Sequence, residues 1–465
     1  MRYWDEELET APWRDVEAWQ AARLVSFLDG LRARSDFHKG RVDTRGLHQP
    51  PPRHTAARPS GTPRTLEFLA DLAFTTKDEM RRSQDEQLPG EPFGRHQAVP
   101  LPEIVQVVSS SGTTGNPLYY ALTAADLEVW RQAIAGAFFT AGIRPGDVVA
   151  HLVGLPGVAG GLPYADGFRT IGAALAWLGG FPTERILRSF PRLQVSAVLS
   201  TASFGTYLTD HCQEIIGEPA AALGVTKFLG GGEPGFGVPS IREKVRAGWG
   251  LDHVREVMGL ADVLSAMWGE CDDETGMHFC AARGVAIELV DPATGGQIPW
   301  EDGAAGEVVY TTFAREATPM LRYRSSDHVV VTGVGCSCGR TSPKIRCIGR
   351  TDDMLIYKGM NVFPTAIRDV ALAAVGDVVA PYLRIWKERA DQVRFDDAIP
   401  VDIEAADGLT ADRYPAVAAR IETELRGRLQ VRAAVSVVAP GSLPRSDYKT
   451  PLVHVRANGG REVGS

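Results

Sequence analysis

One loop of the chain combines glycines and hydroxyl side chains directly after an apolar run. Glycine lets the backbone curl until several N–H groups converge on an anion, and the hydroxyls add further donors. The phosphates of ATP fit that description. A Walker loop would end in Gly-Lys-Ser or Gly-Lys-Thr, and the chain contains no Gly-Lys dipeptide, so the sequence predicts a different phosphate loop. Its residues are Ser109, Ser110, Ser111, Gly112, Thr113, Thr114, Gly115, Asn116 and Pro117.

Three thiols and an imidazole from two separate segments form a second candidate site. Cys271 and His278 lie close in sequence, and Cys336 and Cys338 follow much later. Three sulfur ligands and one nitrogen suit tetrahedral zinc. Spacing alone also allows free buried thiols, and Cys280, which would share a strand face with His278, leaves the fourth ligand open.

Three later segments accompany the phosphate loop. Residues 321–327 end in an aspartate, residues 349–364 carry paired acids and a Lys-Gly turn, and residues 443–449 end in a lysine. With the loop, they resemble the motifs of the ANL superfamily of adenylate-forming enzymes. Residues 349–364 look like the phenylacetate:coenzyme A ligase branch. The resemblance extends from Tyr3 to Lys449 and implies that ATP activates a carboxylic acid.

The resemblance implies nucleotide contacts for individual residues. Asp327 would accept hydrogen bonds from both ribose hydroxyls, although Ser326 replaces the usual glycine, so the turn must accept a side chain. Arg350 would contact the nucleotide, and a glycine-rich turn would let adenine lie against the backbone. Lys77 matches a branch position that reaches the phosphates. Beyond the loop, the implied cofactor-binding residues are Gly231, Gly232, Glu233, Pro234, Asp327, Arg350 and Lys358.

The resemblance also implies a catalytic lysine, Lys449, and a hinge, Asp352, about which a small C-terminal domain rotates. Attack of a carboxylate on the α-phosphate builds charge on the phosphoryl oxygens, so a cation placed there stabilises the transition state. Asp262 would be the carboxylate directed at magnesium. The implied catalytic residues are Lys449, Thr114 and Asp262.

Several positions depart from the family pattern. Residues 258–262 read Met-Gly-Leu-Ala-Asp where the family has aromatic-Gly-x-Ser/Thr-Glu, which shortens the acidic side chain and removes an aromatic ring beside adenine. Asn116 replaces a lysine, so Lys449 must supply more of the charge stabilisation. Valines replace aromatic residues at the acyl pocket, and we expect a roomier pocket for a substituted aryl acid. The expected pocket residues are His151, Val153, Val158, Gly160, Met258 and Gly259.

Composition and charge narrow the class of partners. The chain has 465 residues with an ordinary globular balance, 44% hydrophobic and 23% charged. A net charge of -8 gives no broad attraction for nucleic acid or an anionic membrane. The first residues are charged where a signal peptide is apolar, and the longest weakly polar run, residues 133–143, is too short to cross a bilayer. We expect a cytoplasmic protein.

The elements that position these residues follow an α/β pattern. Helical stretches fill the start of the chain, and Thr76 suits the N-cap of a helix with acids in its first turn. Short apolar runs at residues 104–108, 148–153 and 195–199 alternate with helical stretches such as residues 124–141, which is typical of α/β layers.

Residues 285–331 indicate a β-rich subdomain, because strands and turns replace the helices there. The resemblance implies a large N-terminal α/β domain, residues 1–351, and a small mobile α+β domain, residues 352–465. Clefts between domains are usual ligand sites, so we expect the active site between the two.

The resemblance therefore implies an AMP-forming aryl- or acyl-CoA ligase that makes acyl-AMP and then a coenzyme A thioester. ATP, magnesium and coenzyme A are the implied cofactors and co-substrate. A carrier-protein thiol or an amine stays an alternative acceptor, and a degenerate zinc-stabilised nucleotide-binding protein is the alternative from another class. A homodimer is a further expectation. Members of the branch also imply a structural zinc at Cys271, His278, Cys336 and Cys338.

Overall fold

The computed structural model describes residues 2–42, 66–110, 117–153, 157–233, 235–350, 353–358, 360–389, 392–443 and 451–456. Within these ranges no helix has both the length and the apolar character needed to cross a membrane. The chain begins with helices, as its sequence predicts. The first four are α1 (Glu6–Thr10), α2 (Trp13–Arg34), α3 (Asp36–Arg41) and α4 (Lys77–Asp85).

The start of α4 follows the predicted capping chemistry. The Thr76 hydroxyl accepts a hydrogen bond from the Glu79 N–H, and Asp78 and Glu79 stand in the first turn, where negative charge is favourable. A two-stranded antiparallel hairpin follows, β1 (Gln106–Ser109) and β2 (Tyr119–Leu122), and flanks the phosphate loop.

The next region alternates strands and helices and forms the parallel half of a 12-stranded sheet, in the order β4-β3-β5-β6-β7. Parallel strands need crossovers, and the helices supply them. The strands are β3 (Val148–His151), β4 (Ala174–Trp177), β5 (Ala197–Ser200), β6 (Lys227–Gly230) and β7 (His253–Leu260). The helices are α5 (Ala124–Thr140), α6 (Leu162–Ile171), α7 (Thr183–Leu193), α8 (Ala202–Ile216) and α9 (Pro239–Trp249).

The same sheet continues from β7 as an antiparallel half, in the order β7-β8-β9-β14-β13-β12-β10-β11. This half contains the β-rich region that the sequence predicts. Its strands are β8 (Leu264–Glu270), β9 (Met277–Phe279), β10 (Val285–Val290), β11 (Gln297–Ile298), β12 (Ala305–Thr312), β13 (Tyr323–Gly333) and β14 (Lys344–Arg350).

The C-terminal part of the chain is α+β. A three-stranded sheet has the order β16-β15-β18, and a four-stranded sheet has the order β20-β19-β17-β21. The strands are β15 (Leu355–Tyr357), β16 (Met360–Val362), β17 (Val379–Lys387), β18 (Arg394–Phe395), β19 (Ile399–Ala405), β20 (Ala433–Val438) and β21 (Val453–Val455). The helices are α10 (Pro364–Val375) and α11 (Tyr414–Leu429).

Together these elements confirm the predicted fold class, a large α/β part with a β-rich subdomain and a smaller α+β part. The large core lies around α5 and β8, where Phe138, Trp268 and Tyr310 are fully buried. In open α/β sheets, ligands bind at the carboxyl ends of the strands. The fold therefore indicates the turns that follow β6 and β7 as the candidate site, and Asp327 and Arg350 lie on β13 and β14 of the same sheet.

Candidate active site

The turn after β6 is fixed in a narrow space at the carboxyl end of the strand. Gly232 has a φ of 87°, in the left-handed region that favours glycine. A Cβ on Gly231 would lie 3.0 Å from Val257 Cγ2, so the backbone passes close to β7. The Ser203 N–H near the start of α8 donates a 2.7 Å hydrogen bond to the Glu233 carboxylate. The turn is therefore held between two neighbouring elements.

Asp327 and Arg350 reach this turn from two neighbouring strands. They are register partners on β13 and β14, and Arg350 Nη1 lies 3.1 Å from Asp327 Oδ1. Ser326 has a φ of 62°, and its N–H donates to Glu307 at 2.9 Å, so the turn does accept a side chain. A cavity of about 90 Å³ lies between these groups and is lined by Gly232, Glu233, Glu256, Val257, Met258, Met277, Asp327, Cys347 and Arg350.

This cavity combines a carboxylate, a guanidinium and a close glycine backbone. A buried carboxylate can accept hydrogen bonds from two neighbouring hydroxyls of a sugar, and charge-assisted bonds of this kind are stronger than neutral ones. The Asp327 side chain is largely buried, which excludes competing water. The structure brings Gly232, Glu233, Asp327 and Arg350 together there. Because the site suits a nucleoside, we call it the nucleoside cavity.

Asp262 lies in the turn between β7 and β8 and is held by two phenols. The Tyr120 and Tyr323 hydroxyls both donate to Asp262 Oδ1, the latter at 2.6 Å. Burial, together with the Asp262 charge, raises the pKa of both tyrosines well above their usual value, so they stay neutral donors. Lys77 Nζ stands 3.9 Å from the same oxygen. A carboxylate oxygen is the hard donor that Mg²⁺ prefers, so Asp262 fits a magnesium-directed role.

The neck of the phosphate loop is closed by hydrogen bonds. The Ser110 N–H donates to the Leu118 carbonyl at 2.9 Å, and the Leu118 N–H donates to the Ser110 hydroxyl at 3.0 Å. Residues 157–159 run alongside Ser109, which pairs with Val158 in a parallel bridge. Residues 110 and 118 therefore lie side by side at the base of the loop, next to the region of the expected acyl pocket.

The residues expected at the acyl pocket do not all lie in one place. A Cβ on Gly160 would touch the Tyr164 ring at 3.6 Å and Val153 Cγ1 at 3.9 Å, so these three lie together. A Cβ on Gly259 would overlap the Ser265 backbone, which explains the glycine there. Met258 lies instead against the nucleoside cavity.

His151, the remaining pocket residue, ends β3 and is fully buried. Its ring packs beside Trp177 at 5.0 Å between centroids and beside Tyr164 at 5.9 Å. Burial lowers the pKa of His151 to about 4, so the imidazole is neutral near pH 7. The structure encloses this side chain among aromatic rings.

Several sequence predictions fall outside the described residues or away from the cavity. Lys358 is described, but it is exposed, lies near the Tyr357 ring and does not line the nucleoside cavity. The residues that lie outside the described ranges are Ser111, Gly112, Thr113, Thr114, Gly115, Pro234, Asp352 and Lys449.

The four candidate metal ligands come together although two chain segments supply them. Cys271 follows β8, His278 lies on β9, and the loop between β13 and β14 carries Cys336 and Cys338. All four ligand atoms lie within 4.8 Å of one another. Cys280 is not among them, since its thiol contacts the Thr140 hydroxyl and the His278 carbonyl instead.

The spacing of these atoms fits a tetrahedral metal. Zinc bonds of about 2.3 Å to sulfur and 2.0 Å to nitrogen place neighbouring ligand atoms roughly 3.5–3.8 Å apart. Cys271 Sγ and Cys336 Sγ are 3.6 Å apart, and Cys338 Sγ is 3.5 Å from His278 Nε2. His278 Nδ1 lies 3.3 Å from the Ser342 carbonyl, an outer contact of the kind that orients a ligating imidazole.

Sequence reasoning missed three residues of the site. Tyr120 has no motif around it, yet its phenol contacts Asp262 across 142 positions of the chain. Glu256 lines the nucleoside cavity, and Arg346 holds its carboxylate at 2.9 Å. The one signal for them is the position of Glu256 just before the Met-Gly segment and of Arg346 on the strand that ends at Arg350.

A family model described as the AMP-binding enzyme C-terminal domain matches residues 359–455. The chain is similar to a phenylacetate-coenzyme A ligase of Thermus thermophilus, with 30% identity over 95% of this chain and 96% of the relative. It is also similar to a phenylacetate-coenzyme A ligase of Aromatoleum evansii, with 28% identity over 95% and 94%.

The fold is similar to that of 2-hydroxyisobutyryl-CoA ligase in the postadenylation state in complex with 2-HIB-AMP. The TM-score is 0.83 at 24% identity, over 98% of this chain and 93% of that one. This likeness confirms the predicted architecture of a large N-terminal and a small C-terminal part.

Proposed function

The chain belongs to the phenylacetate-coenzyme A ligase family, and we propose that it converts an aryl carboxylic acid into its coenzyme A thioester. It is an AMP-forming acid–coenzyme A ligase, as the family comparison indicates. The observation that carries the proposal is the meeting of Gly232, Glu233, Asp327 and Arg350 around one cavity. These residues come from separate motifs, and a chance surface would not bring them together at the strand ends where α/β sheets bind ligands.

In the first half-reaction, the substrate carboxylate attacks the α-phosphorus of ATP. A new O–P bond forms, the bond to the bridging oxygen breaks, and pyrophosphate leaves with that electron pair. Asp327 and Arg350 hold the ribose, and the turn at Gly231 and Gly232 lies against adenine. Lys449, by its motif, neutralises charge that develops on the phosphoryl oxygens. Asp262 would hold magnesium, which would supply further charge neutralisation on the phosphates when bound.

In the second half-reaction, the coenzyme A thiol releases its proton to solvent and its sulfur forms a bond to the acyl carbon. The bond from that carbon to the AMP phosphate oxygen breaks, and AMP leaves with its electron pair. We propose that residues 1–351 form the large domain and residues 352–465 a small domain that turns about Asp352 between the two steps. Such hinges are a few residues at element ends that absorb large backbone changes. The family-model match at residues 359–455 supports this boundary, because it falls inside the small domain.

An aryl acid is the proposed substrate class. Tyr164 lies beside Gly160 and Val153, so one wall of the expected pocket is aromatic and another is aliphatic. Valines at 153 and 158 leave more room than the aromatic side chains of phenylacetate ligases. We therefore propose a substituted benzoate or arylacetate, with coenzyme A as the acceptor and the cytoplasm, which supplies ATP and coenzyme A, as the location.

Zinc at Cys271, His278, Cys336 and Cys338 is the proposed structural metal. Three thiolates and an imidazole would fill all four positions of a tetrahedral ion, which leaves no place for a catalytic water. The ion would tie the loop between β13 and β14 to β8 and β9.

The test is acid-dependent pyrophosphate release with magnesium-ATP, with hydroxylamine to trap acyl-AMP. The panel contains benzoates, hydroxy- and aminobenzoates, arylacetates and short aliphatic acids. Lys449→Ala should abolish release with the best acid, and Lys39→Ala, an exposed lysine of α3, is the matched control.

Each outcome of this assay distinguishes among the candidate functions. Release that requires Lys449, followed by thioester formation on addition of coenzyme A, supports the ligase. Release without thioester formation points to a carrier-protein thiol or an amine as the acceptor. No release with any acid, while nucleotide still binds, would favour the degenerate nucleotide-binding protein. Light scattering decides whether the chain is a dimer.

A further inference from the structure

A buried ionic network lies between the nucleoside cavity and the Cys/His cluster. Its central acid, Glu270, is fully buried at the end of β8. Arg242 Nη2 contacts both Glu270 oxygens, at 2.9 and 2.7 Å, and Arg346 contacts the first of them. Arg346 Nη1 in turn donates to Glu256 at 2.9 Å.

One end of this network reaches the cavity. Glu256 is a lining residue, and its carboxylate also accepts the Gly235 N–H at 3.2 Å, just after the glycine-rich turn. A Cβ on Gly237 would lie 2.9 Å from the same carboxylate. The Glu256 N–H donates to Glu270 at 3.0 Å, so both the backbone and the side chain of this residue are fixed by the network.

The other end reaches the candidate metal cluster. Cys271 directly follows Glu270 in the chain, so one peptide unit joins the candidate ligand to the central acid. Arg346 Nη2 and Arg242 Nη1 both donate to the Glu274 carbonyl, in the loop between Cys271 and His278. The same residues therefore touch the loop that supplies two of the four ligands.

Strand β14 provides a second connection between the two places. Lys344, at its start, pairs with His278 and donates to Asp273 at 2.8 Å. Arg346 lies two residues further on, and Cys347 and Arg350 line the cavity. A single strand thus carries one residue anchored at the cluster, one in the network and two at the cavity.

The charged groups of this network are fully or largely buried, so little water is available to compensate for a lost partner. Removing one partner of a buried ion pair leaves the other charge without compensation, and the surrounding groups then rearrange. Without the metal, the thiolates would repel one another, and Cys271 would no longer be held in its position. Glu270, Arg346 and Glu256 would relax with it, and the cavity would lose its shape.

We infer that Arg346 and Glu270 are positioning residues through which the metal cluster shapes the nucleoside cavity, so that metal binding and AMP binding strengthen each other. The inference rests on the proposed nucleotide site and zinc cluster. By linkage, each ligand changes the affinity of the other by the same factor, and couplings of about tenfold are typical.

The test uses the zinc-loaded protein and a chromogenic chelator, with AMP as the probe. In the wild-type protein, saturating AMP should slow zinc extraction, and calorimetry should show AMP binding about tenfold more tightly to the zinc-loaded than to the zinc-free protein. Arg346→Met should bind AMP about tenfold more weakly by calorimetry, and AMP should no longer slow extraction. Arg346→Lys keeps the charge but cannot contact Glu256 and Glu270 with two separate N–H groups of a guanidinium, so AMP should slow zinc extraction only in part.

Lys227→Met is the matched control. Lys227 forms an ion pair with Asp147 whose side chains are 17% and 10% exposed, against 17% and 9% for Arg346 and Glu256, and it contacts neither the cluster nor the cavity. It should lower stability but leave AMP protection intact.

Equal extraction rates with and without AMP in the wild-type protein would overturn the inference, as would full AMP protection in Arg346→Met. Loss of protection in Lys227→Met as well would also overturn it, because general destabilisation would then explain the effect. Failure of the proposed function is distinguishable, since it would appear as absent acid-dependent pyrophosphate release while the coupling of AMP and zinc persists.

Discussion

Asp262 and Asp327 are both buried carboxylates at the proposed nucleotide site, but hydrogen-bond partners of different charge hold them. Asp262 accepts from two neutral phenols, those of Tyr120 and Tyr323. Asp327 faces the Arg350 guanidinium at 3.1 Å. Both carboxylates also have a cation nearby, but the distances differ: Arg350 lies within hydrogen-bond distance of Asp327, whereas Lys77 Nζ stands 3.9 Å from Asp262.

The difference matches two kinds of ligand. Phenols orient Asp262 and leave its negative charge available, which suits a bound cation. The guanidinium balances the Asp327 charge, which suits neutral hydroxyl groups that need acceptors without excess charge. Partner choice therefore separates the proposed metal-directed carboxylate from the proposed ribose carboxylate.

Of the substitutions at these two carboxylates, Asp262→Asn is the one that we expect to lower activity most. An amide lacks the charge that attracts a cation to the transferring phosphate, so we expect acyl-AMP formation to fall about 100- to 1000-fold. Asp262→Glu restores the charge on a longer arm and should keep most of the activity. The measurement is kcat for pyrophosphate release across magnesium concentrations. An Asn variant within tenfold of wild type would remove Asp262 from the proposed role.

Asp327→Asn should act on binding instead of the chemical step. Hydrogen bonds to a charged group contribute roughly 1.5–3 kcal/mol, so we expect KM for ATP to rise about 10- to 100-fold with kcat nearly unchanged. The variant should also lose discrimination between ATP and 2′-deoxy-ATP. If the variant still preferred ATP over 2′-deoxy-ATP by the same factor, Asp327 would not be the residue that binds the ribose 2′-hydroxyl.

Tyr323→Phe tests whether the phenols orient Asp262. The substitution removes one of the two phenol donors to Asp262, so we expect the free energy of unfolding to fall by about 1.5 kcal/mol. The magnesium concentration for half-maximal rate should rise as well. Tyr310→Phe is the control, because the Tyr310 hydroxyl is buried and accepts from Trp268 at 2.9 Å, away from Asp262. Both variants should lose stability, and only Tyr323→Phe should shift the magnesium dependence.

The sequence predicted the parts of this site that sit inside motifs. Asp327 and Arg350 stand in recognisable segments, and strand pairing then forces them together because β13 and β14 are neighbours. The layers were predictable for a similar reason, since the parallel half alternates apolar strands with helices. Roles for these residues stay predictions until the substitutions are measured.

The rest depended on packing between distant segments. Tyr120 and Asp262 are 142 residues apart, and no spacing rule connects them. The strand pattern places Cys280 and His278 on one face, yet the Cys280 thiol contacts the Thr140 hydroxyl and the His278 carbonyl. The cluster of four ligand atoms contains His278 but not Cys280. Contacts of this kind follow from the sheet order, which the sequence did not specify.

His151 is a third buried titratable side chain, and it differs from the two aspartates. Burial keeps His151 neutral, whereas the aspartates accept hydrogen bonds from charged or polar donors. The His151 pKa of about 4, lowered by burial, lies below the ordinary value of 6.5, so unfolding takes up a proton between these values. Stability should therefore fall as the pH drops below 6.5. His151→Phe keeps an aromatic ring without a titrating group, and the variant should gain about 1 kcal/mol on the wild type between pH 7.5 and pH 5.5. Chemical denaturation of both proteins across this range measures the difference. The other buried histidines, His38, His96 and His278, cancel because both proteins contain them. A constant difference across the range would show that His151 is charged or solvated in the folded protein.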